Sequence, residues 1–146
     1  DLETMSLALS AAAMGTLVFG TLHTNSAAKT IDRIIDMFPV DQQSQVRTVL
    51  AESLSGIVAQ QLLLKKEGEG RIAATEILVG NHAVASIIRE GKIERITSVI
   101  QSGKREGMQM MDDALEAMAN ENLIDGKDVY MKSNDKKRFA RFAEEE

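Results

Sequence analysis

The sequence has no cysteine, which excludes a disulfide scaffold and any thiolate metal site and fits a cytoplasmic setting. Histidine is scarce as well. His23 and His82 are the only two, and no HxxxH or HExxH spacing arranges them for zinc. No apolar run approaches the ~18–20 residues that span a bilayer, so no transmembrane segment is expected. Positive charge is in short supply: the net charge is −5, and no global basic field points to nucleic acid. Catalytic signatures are missing too. Gly15-Thr-Leu-Val-Phe-Gly20 is not a nucleophile elbow, and no serine has both a base and an orienter suggested by spacing. No GxxxxGK[ST] phosphate loop occurs, because Gly68-Glu-Gly70 lacks the spacing and its glutamates would repel phosphate.

What is present suits one domain: 146 residues can bury a sizeable core. The chain is organised around Gly15 to Phe38. Leu17–Leu22 is a short, mostly apolar run after a glycine and predicts a buried parallel strand. Polarity then rises at His23, Thr24, Asn25 and Ser26. Ile31, Ile34, Ile35 and Phe38 follow at helical spacing, with Asn25 or Ser26 available as the cap. His23 is therefore expected where a strand ends and a helix begins, the edge at which open α/β sheets bind ligands and helix N–H groups attract anions. A phosphate-facing imidazole and a satisfied turn histidine both fit that position.

Before this stretch, residues 1–14 predict a helix with Leu2, Met5, Leu9 and Ala12 on one face, stopped by Gly15. After it, Pro39 breaks the chain and Asp41 is the expected cap of a helix to about Leu54, with Val46, Val49, Leu50 and Leu54 as its buried stripe. Glu52 on that helix reads as a solvated or ion-paired carboxylate. Residues 56–64 and 71–79 predict two strands joined by the polar turn Lys65–Gly70. Residues 81–90 predict a short helix burying Val84, Ile87 and Ile88. Ile93, Ile96, Val99 and Ile100 mark the next stripe, and residues 101–107 a hinge-like loop. Met108, Met111, Leu115 and Met118 mark a further helix, whose methionines suit core filling more commonly than a contact surface. Asp112 and Asp113 are adjacent, point different ways, and make a poor acid/base pair. Asp125 caps a last helix, and the run Lys136–Phe142 reads as a surface helix pinned by Phe139 and Phe142, with the three final glutamates as a solvated tail.

Thr21-Leu-His-Thr-Asn-Ser-Ala27, followed by Ile31-Asp-Arg-Ile-Ile-Asp-Met-Phe-Pro39, closely resembles the histidine box and following helix of the type IV pilus retraction ATPases, the PilT family. These belong to the secretion-motor ATPases with RecA-like cores, and the resemblance runs from Asp1 to roughly Asn122. Ala83-Val-Ala-Ser-Ile-Ile-Arg-Glu90 resembles the AIRNLIRE signature of retraction motors, with Ala85 and Ser86 in place of its arginine and asparagine. The short Lys65–Gly70 turn stands where assembly and type II secretion motors carry a four-cysteine zinc insertion, so it too is similar to the retraction branch. The family's earlier histidine is Thr16 here, which cannot titrate near neutral pH.

The resemblance implies an α/β fold: the C-terminal half of a RecA-like P-loop ATPase core in residues 1–80, with three strands, and a helical C-terminal subdomain in residues 81–146. It implies an ATP-hydrolysing motor for pilus retraction, twitching motility and DNA uptake. That motor would be a homo-hexamer, cytoplasmic and peripheral at the inner membrane, docked on an inner-membrane pilus platform protein. His23 would be the catalytic contact to the ATP γ-phosphate. Thr24, Arg33 and Arg71 would contact the nucleotide or the subunit boundary, where an always-charged, bidentate guanidinium is suited to phosphate. Surface ion pairs are the competing reading of both arginines. ATP and Mg²⁺ would require upstream parts, since the chain starts at Asp1 past the expected P-loop and Walker B strand. The chain alone is thus expected to be inactive. The alternatives are an assembly or type II secretion motor, or a non-enzymatic helical adaptor.

Overall fold

A computed structural model describes residues 1–143. The three glutamates expected as a solvated tail lie outside the described residues. α1 (Leu2–Ala13) starts at Asp1, whose side chain accepts the Thr4 N–H at 2.8 Å, and ends before Gly15, which takes a φ of +88°. It lays Met5 and Leu9 against the core without fully burying any residue.

The segment after α1 departs from expectation. Leu17–Leu22 forms no strand, and Leu17 and Phe19 are 71% and 89% exposed. The physical reason is the absence of a partner: among the described residues the only sheet is two-stranded, and neither strand lies alongside this run. An extended segment gains its ladder hydrogen bonds only from a neighbour. Two strands are therefore present among the described residues, not three.

α2 (Ala27–Asp36) is capped by Ser26, whose hydroxyl accepts the Lys29 N–H, and buries Ile31, Ile34 and Ile35. α3 (Val40–Ser53) follows the single proline at once. Pro39 itself occupies the cap position with no side-chain hydrogen bond, so Asp41 lies inside the first turn and is not the cap. Proline fixes the φ at which the chain enters the helix, and the Gln42 N–H turns back to the Pro39 carbonyl at 2.9 Å. Asp41 still favours the positive end of the helix. Of the expected stripe, Val46 and Leu50 are buried, while Val49 and Leu54 are half-buried.

β1 (Gly56–Leu64) and β2 (Arg71–Val79) form an antiparallel hairpin in continuous register from Gly56 opposite Val79 to Leu64 opposite Arg71. Gly68 and Gly70 take φ of +82° and +99° in the turn, the left-handed region that glycine tolerates. The expected hairpin is thus observed, but the parallel strand expected at Leu17–Leu22 is not. α4 (His82–Glu90) is capped by Asn81, which accepts the Val84 N–H at 3.0 Å, and terminated by Gly91. A 3-10 turn leads into α5 (Ile96–Ser102), and a second 3-10 turn replaces the expected loop. α6 (Met111–Asn120), α7 (Gly126–Lys132) and a terminal 3-10 turn complete the chain, so the basic run ends in a turn and not in a helix.

The buried side chains group into two clusters, and the hairpin belongs to both. The first joins α2, α3, α4 and α5 to the open end of the hairpin through Ile57 and Leu78. The second joins α6, α7, Phe139 and Phe142 to the turn end through Leu63 and Ala74. Met108 and Met111 are buried as core residues, and the two phenylalanine rings stack at 6.1 Å. Each fully buried aliphatic side chain contributes about 1.5–3 kcal/mol, so both clusters can hold their helices on the sheet. No helix among the described residues is long and apolar enough to cross a membrane.

Candidate functional site

The loop before α2 and the outer face of α2 enclose an open cleft of about 880 Å³. His23 and Thr24 reach it from the loop, Lys29, Asp32, Arg33 and Asp36 from the helix, and Gln60 from β1. Three of the four expected site residues therefore meet: His23, Thr24 and Arg33. Arg71 does not. It opens β2 opposite Leu64, at the turn end of the hairpin, whereas the cleft reaches β1 only at Gln60, opposite Thr75.

The meeting follows from helical geometry. Lys29, Asp32, Arg33 and Asp36 recur at spacings of three and four, which place them on the face opposite the buried Ile31, Ile34 and Ile35. His23 is exposed at the mouth of this cleft and Thr24 is half-buried behind it. The hydroxyls of Thr24 and Thr30 lie 2.5 Å apart, and Thr30 also donates to the Ser26 carbonyl at 2.8 Å. Because Thr30 has one proton, Thr24 is the donor in the contact between them. The side chain of Thr24 is thereby tied to the helix it precedes.

The electrostatics are mixed. Lys29 and Arg33 offer positive charge, but Asp32 and Asp36 line the same cleft. Burial lifts the Asp32 carboxyl above the ordinary range, and the neighbouring charges of Asp36 and Glu94 raise it further. An incoming anion would relieve none of that repulsion. It would pair with His23, Arg33 and Lys29.

The start of α2 differs from the expected free anion site. The Ala27 N–H donates to Glu76 Oε1 at 2.8 Å, and the Lys29 N–H is taken by Ser26. The cap is already filled from inside by a carboxylate on β2. Glu76 is 5% exposed, and its second oxygen accepts the Met111 N–H of α6 at 3.4 Å. A buried carboxylate is costly unless it is hydrogen-bonded, and N–H groups at helix N-termini are favourable donors to it. At the 2.8 Å of the Ala27 contact such a charge-assisted bond contributes about 1.5–3 kcal/mol, and the longer Met111 contact contributes less.

Glu76 was not among the expected site residues. Its signal was nevertheless present: it occupies the same face of β2 as Ala74 and Leu78, where alternation calls for an apolar residue. Gln60 and Lys29 were also missed, being polar residues on surfaces where polarity is ordinary. Among the described residues, no cluster of histidine, aspartate or glutamate is arranged to hold a metal ion.

A family profile described as "Type II/IV secretion system protein" matches residues 1–69. A "Twitching motility protein" of Neisseria gonorrhoeae is 52% identical over 124 residues, covering 85% of this chain and 33% of that protein. The "Type IV pilus retractation ATPase PilT" of Pseudomonas aeruginosa is 51% identical over 124 residues, 85% of this chain and 36% of that protein. Over most of its length the chain is thus similar to PilT-type secretion ATPases. A solved structure described as "Crystal Structure of the Pilus Retraction Motor PilT and Bound ADP" superposes with a TM-score of 0.84 at 45% identity, over 97% of this chain and 39% of that one. The fold is accordingly that of the C-terminal portion of a PilT-type ATPase. This chain spans about a third of the length of the curated PilT relatives it matches.

Proposed function

We propose that the chain is part of an ATP-hydrolysing motor that powers type IV pilus retraction, and that its cleft faces the terminal phosphate of the nucleotide. The observation that carries this reading is the convergence of His23 and Arg33 on one open cleft, in a chain half identical to a retraction ATPase. In this reading the His23 imidazole hydrogen-bonds the γ-phosphoryl oxygens as charge develops on them. Arg33 holds the phosphate as a fixed cation, and Lys29 adds a second. Thr24 sets the loop that carries His23. Arg71 stands apart and would serve at a boundary with another subunit.

Phosphoryl transfer to water also needs a phosphate cradle, Mg²⁺ ligands and a carboxylate that orients the water. The residues of this chain fit the role of contacts to the outer phosphate and do not fit Mg²⁺, for which no ligand cluster is present among the described residues. A complete motor would therefore draw on a P-loop and metal ligands supplied by further sequence. Homo-hexamer assembly, a place at the cytoplasmic face of the inner membrane and a pilus platform partner belong to the same proposal.

The test is His23→Ala in the full-length protein. One charge-assisted hydrogen bond made only in the transition state accounts for roughly a ten- to hundredfold drop in turnover. ATP affinity should stay within about threefold, because His23 adds little to ground-state binding. Unchanged turnover would make His23 a turn residue. A gene knockout separates retraction from assembly: cells that keep abundant pili without twitching support retraction, and bald cells support assembly.

A further inference from the structure

Glu76 stands at the seam between the two buried clusters. On the inward face of β2, Ala74 belongs to the second cluster and Leu78 to the first, with Glu76 between them. Its two oxygens divide in the same way: one accepts from Ala27 at the start of α2, the other from Met111 at the start of α6. None of the ion pairs among the described residues includes it. Two helices from different clusters are thus docked, by their first residues, on one carboxylate.

We propose that Glu76 is a positioning residue that couples the α6–α7 module to the turn carrying His23. The relevance to turnover rests on reading that turn as phosphate-facing. The mechanical link is short. Ala27 is fully buried, and Ser26, Asn25, Thr24 and His23 precede it directly. A shift of α2 along its axis would break the bond to Oε1, and a shift of α6 would break the bond to Oε2. The rigid, planar carboxylate cannot follow one helix without leaving the other. The neighbouring Asp112 extends the link outward, accepting the backbone N–H groups of Asn134 and Asp135 at 2.8 Å each. A disturbance of the C-terminal segment therefore has a route of hydrogen bonds joined by short stretches of backbone, through the first turn of α6 and Glu76, to the His23 turn.

Glu76→Gln tests this because it replaces one accepting oxygen with an NH2 donor, so the two ends of the side chain can no longer accept from one helix each. In the full-length protein, hydrogen exchange is expected to accelerate about tenfold or more at two stretches, 26–30 and 110–114. The α4–α5 part of the first cluster should be unchanged. Acceleration at only one of the two stretches would reduce Glu76 to a local cap and overturn the coupling. In steady-state ATP hydrolysis, kcat should fall about tenfold with KM moving less than threefold, the pattern of a misplaced transition-state contact. Both stretches loosened with kcat unchanged would overturn the positioning role. If the wild type shows no ATP turnover at all, the motor reading fails, and the exchange data still judge the coupling. Should Glu76→Gln not fold, the wild type decides. The protection of the Ala27 and Met111 amides should respond to denaturant as one cooperative opening, and two unrelated openings would refute the proposal.

Discussion

Thr30 and Thr24 show how hydrogen-bond counting assigns roles at a single residue. With the Thr30 proton committed to Ser26, the Thr24 proton is committed to Thr30, and an anionic phosphate oxygen finds no donor on the Thr24 side chain. Thr24→Val and Thr30→Val should each lower stability by about 1 kcal/mol, and the double variant should lose little more than either alone. Fully additive losses in chemical denaturation would show that the two hydroxyls do not act as one unit. The same scale marks what single residues reveal in sequence. His23 and Arg33 were legible because their positions relative to a helix start are fixed by local spacing. Arg71 opens β2 as its spacing indicated, but its distance from the cleft depends on hairpin register and not on local pattern. Glu76 was visible only as a charge in an apolar alternation, and nothing in β2 alone says which helices arrive at it.

At the scale of elements, the hairpin and the seven α-helices among the described residues follow from alternation, helical spacing, caps and stop signals that act within a few residues. The run Leu17–Leu22 misled because an apolar run reports a tendency to be covered and does not supply the strand that covers it. Close approach between elements gives a sharper test. A Cβ at Gly80 would lie 2.0 Å from the Leu54 carbonyl oxygen, so the end of α3 and the exit of β2 touch backbone to backbone. Gly80→Ala should destabilise by about 2–3 kcal/mol, read as a fall in the denaturation midpoint with unchanged slope. Asp113 gives a pH-dependent test of how α6 is held. Its hydrogen bond from Lys104 lowers its carboxyl from the ordinary 3.8, Arg138 adding to the effect at 2.8 Å and burial opposing it. A depressed carboxyl stabilises the fold above its unfolded pKa and loses that contribution as pH falls through its native value. Lys104 is largely exposed, which limits the gain through screening. Asp113→Asn should lower the Tm by about 2–4 °C at pH 7, and the two proteins should converge in acid below 3.8. A constant difference across that range would mean that the pairing is not the cause.

Over the whole molecule, two hydrophobic clusters share one hairpin, and only the first touches the cleft. That division could not be read from any window of sequence, because it depends on which end of the same two strands each helix covers. It also limits what the chain can do alone. The cleft sets Lys29 and Arg33 against Asp32 and Asp36, so its charged side chains cancel in number, and these side chains are exposed to water. Exposed ion pairs contribute about 0–1 kcal/mol each, so two cations supply at most about 2 kcal/mol toward a phosphate. A Kd of 1 mM requires about 4.1 kcal/mol. The isolated chain is therefore expected to bind Mg-ATP more weakly than about 1 mM and to hydrolyse none of it. Titration calorimetry on the chain, beside the full-length protein under the same conditions, measures the difference directly. Submillimolar binding by the chain alone would mean that its own residues form a phosphate cradle, and that the cleft holds the nucleotide by itself instead of reading a phosphate gripped from elsewhere.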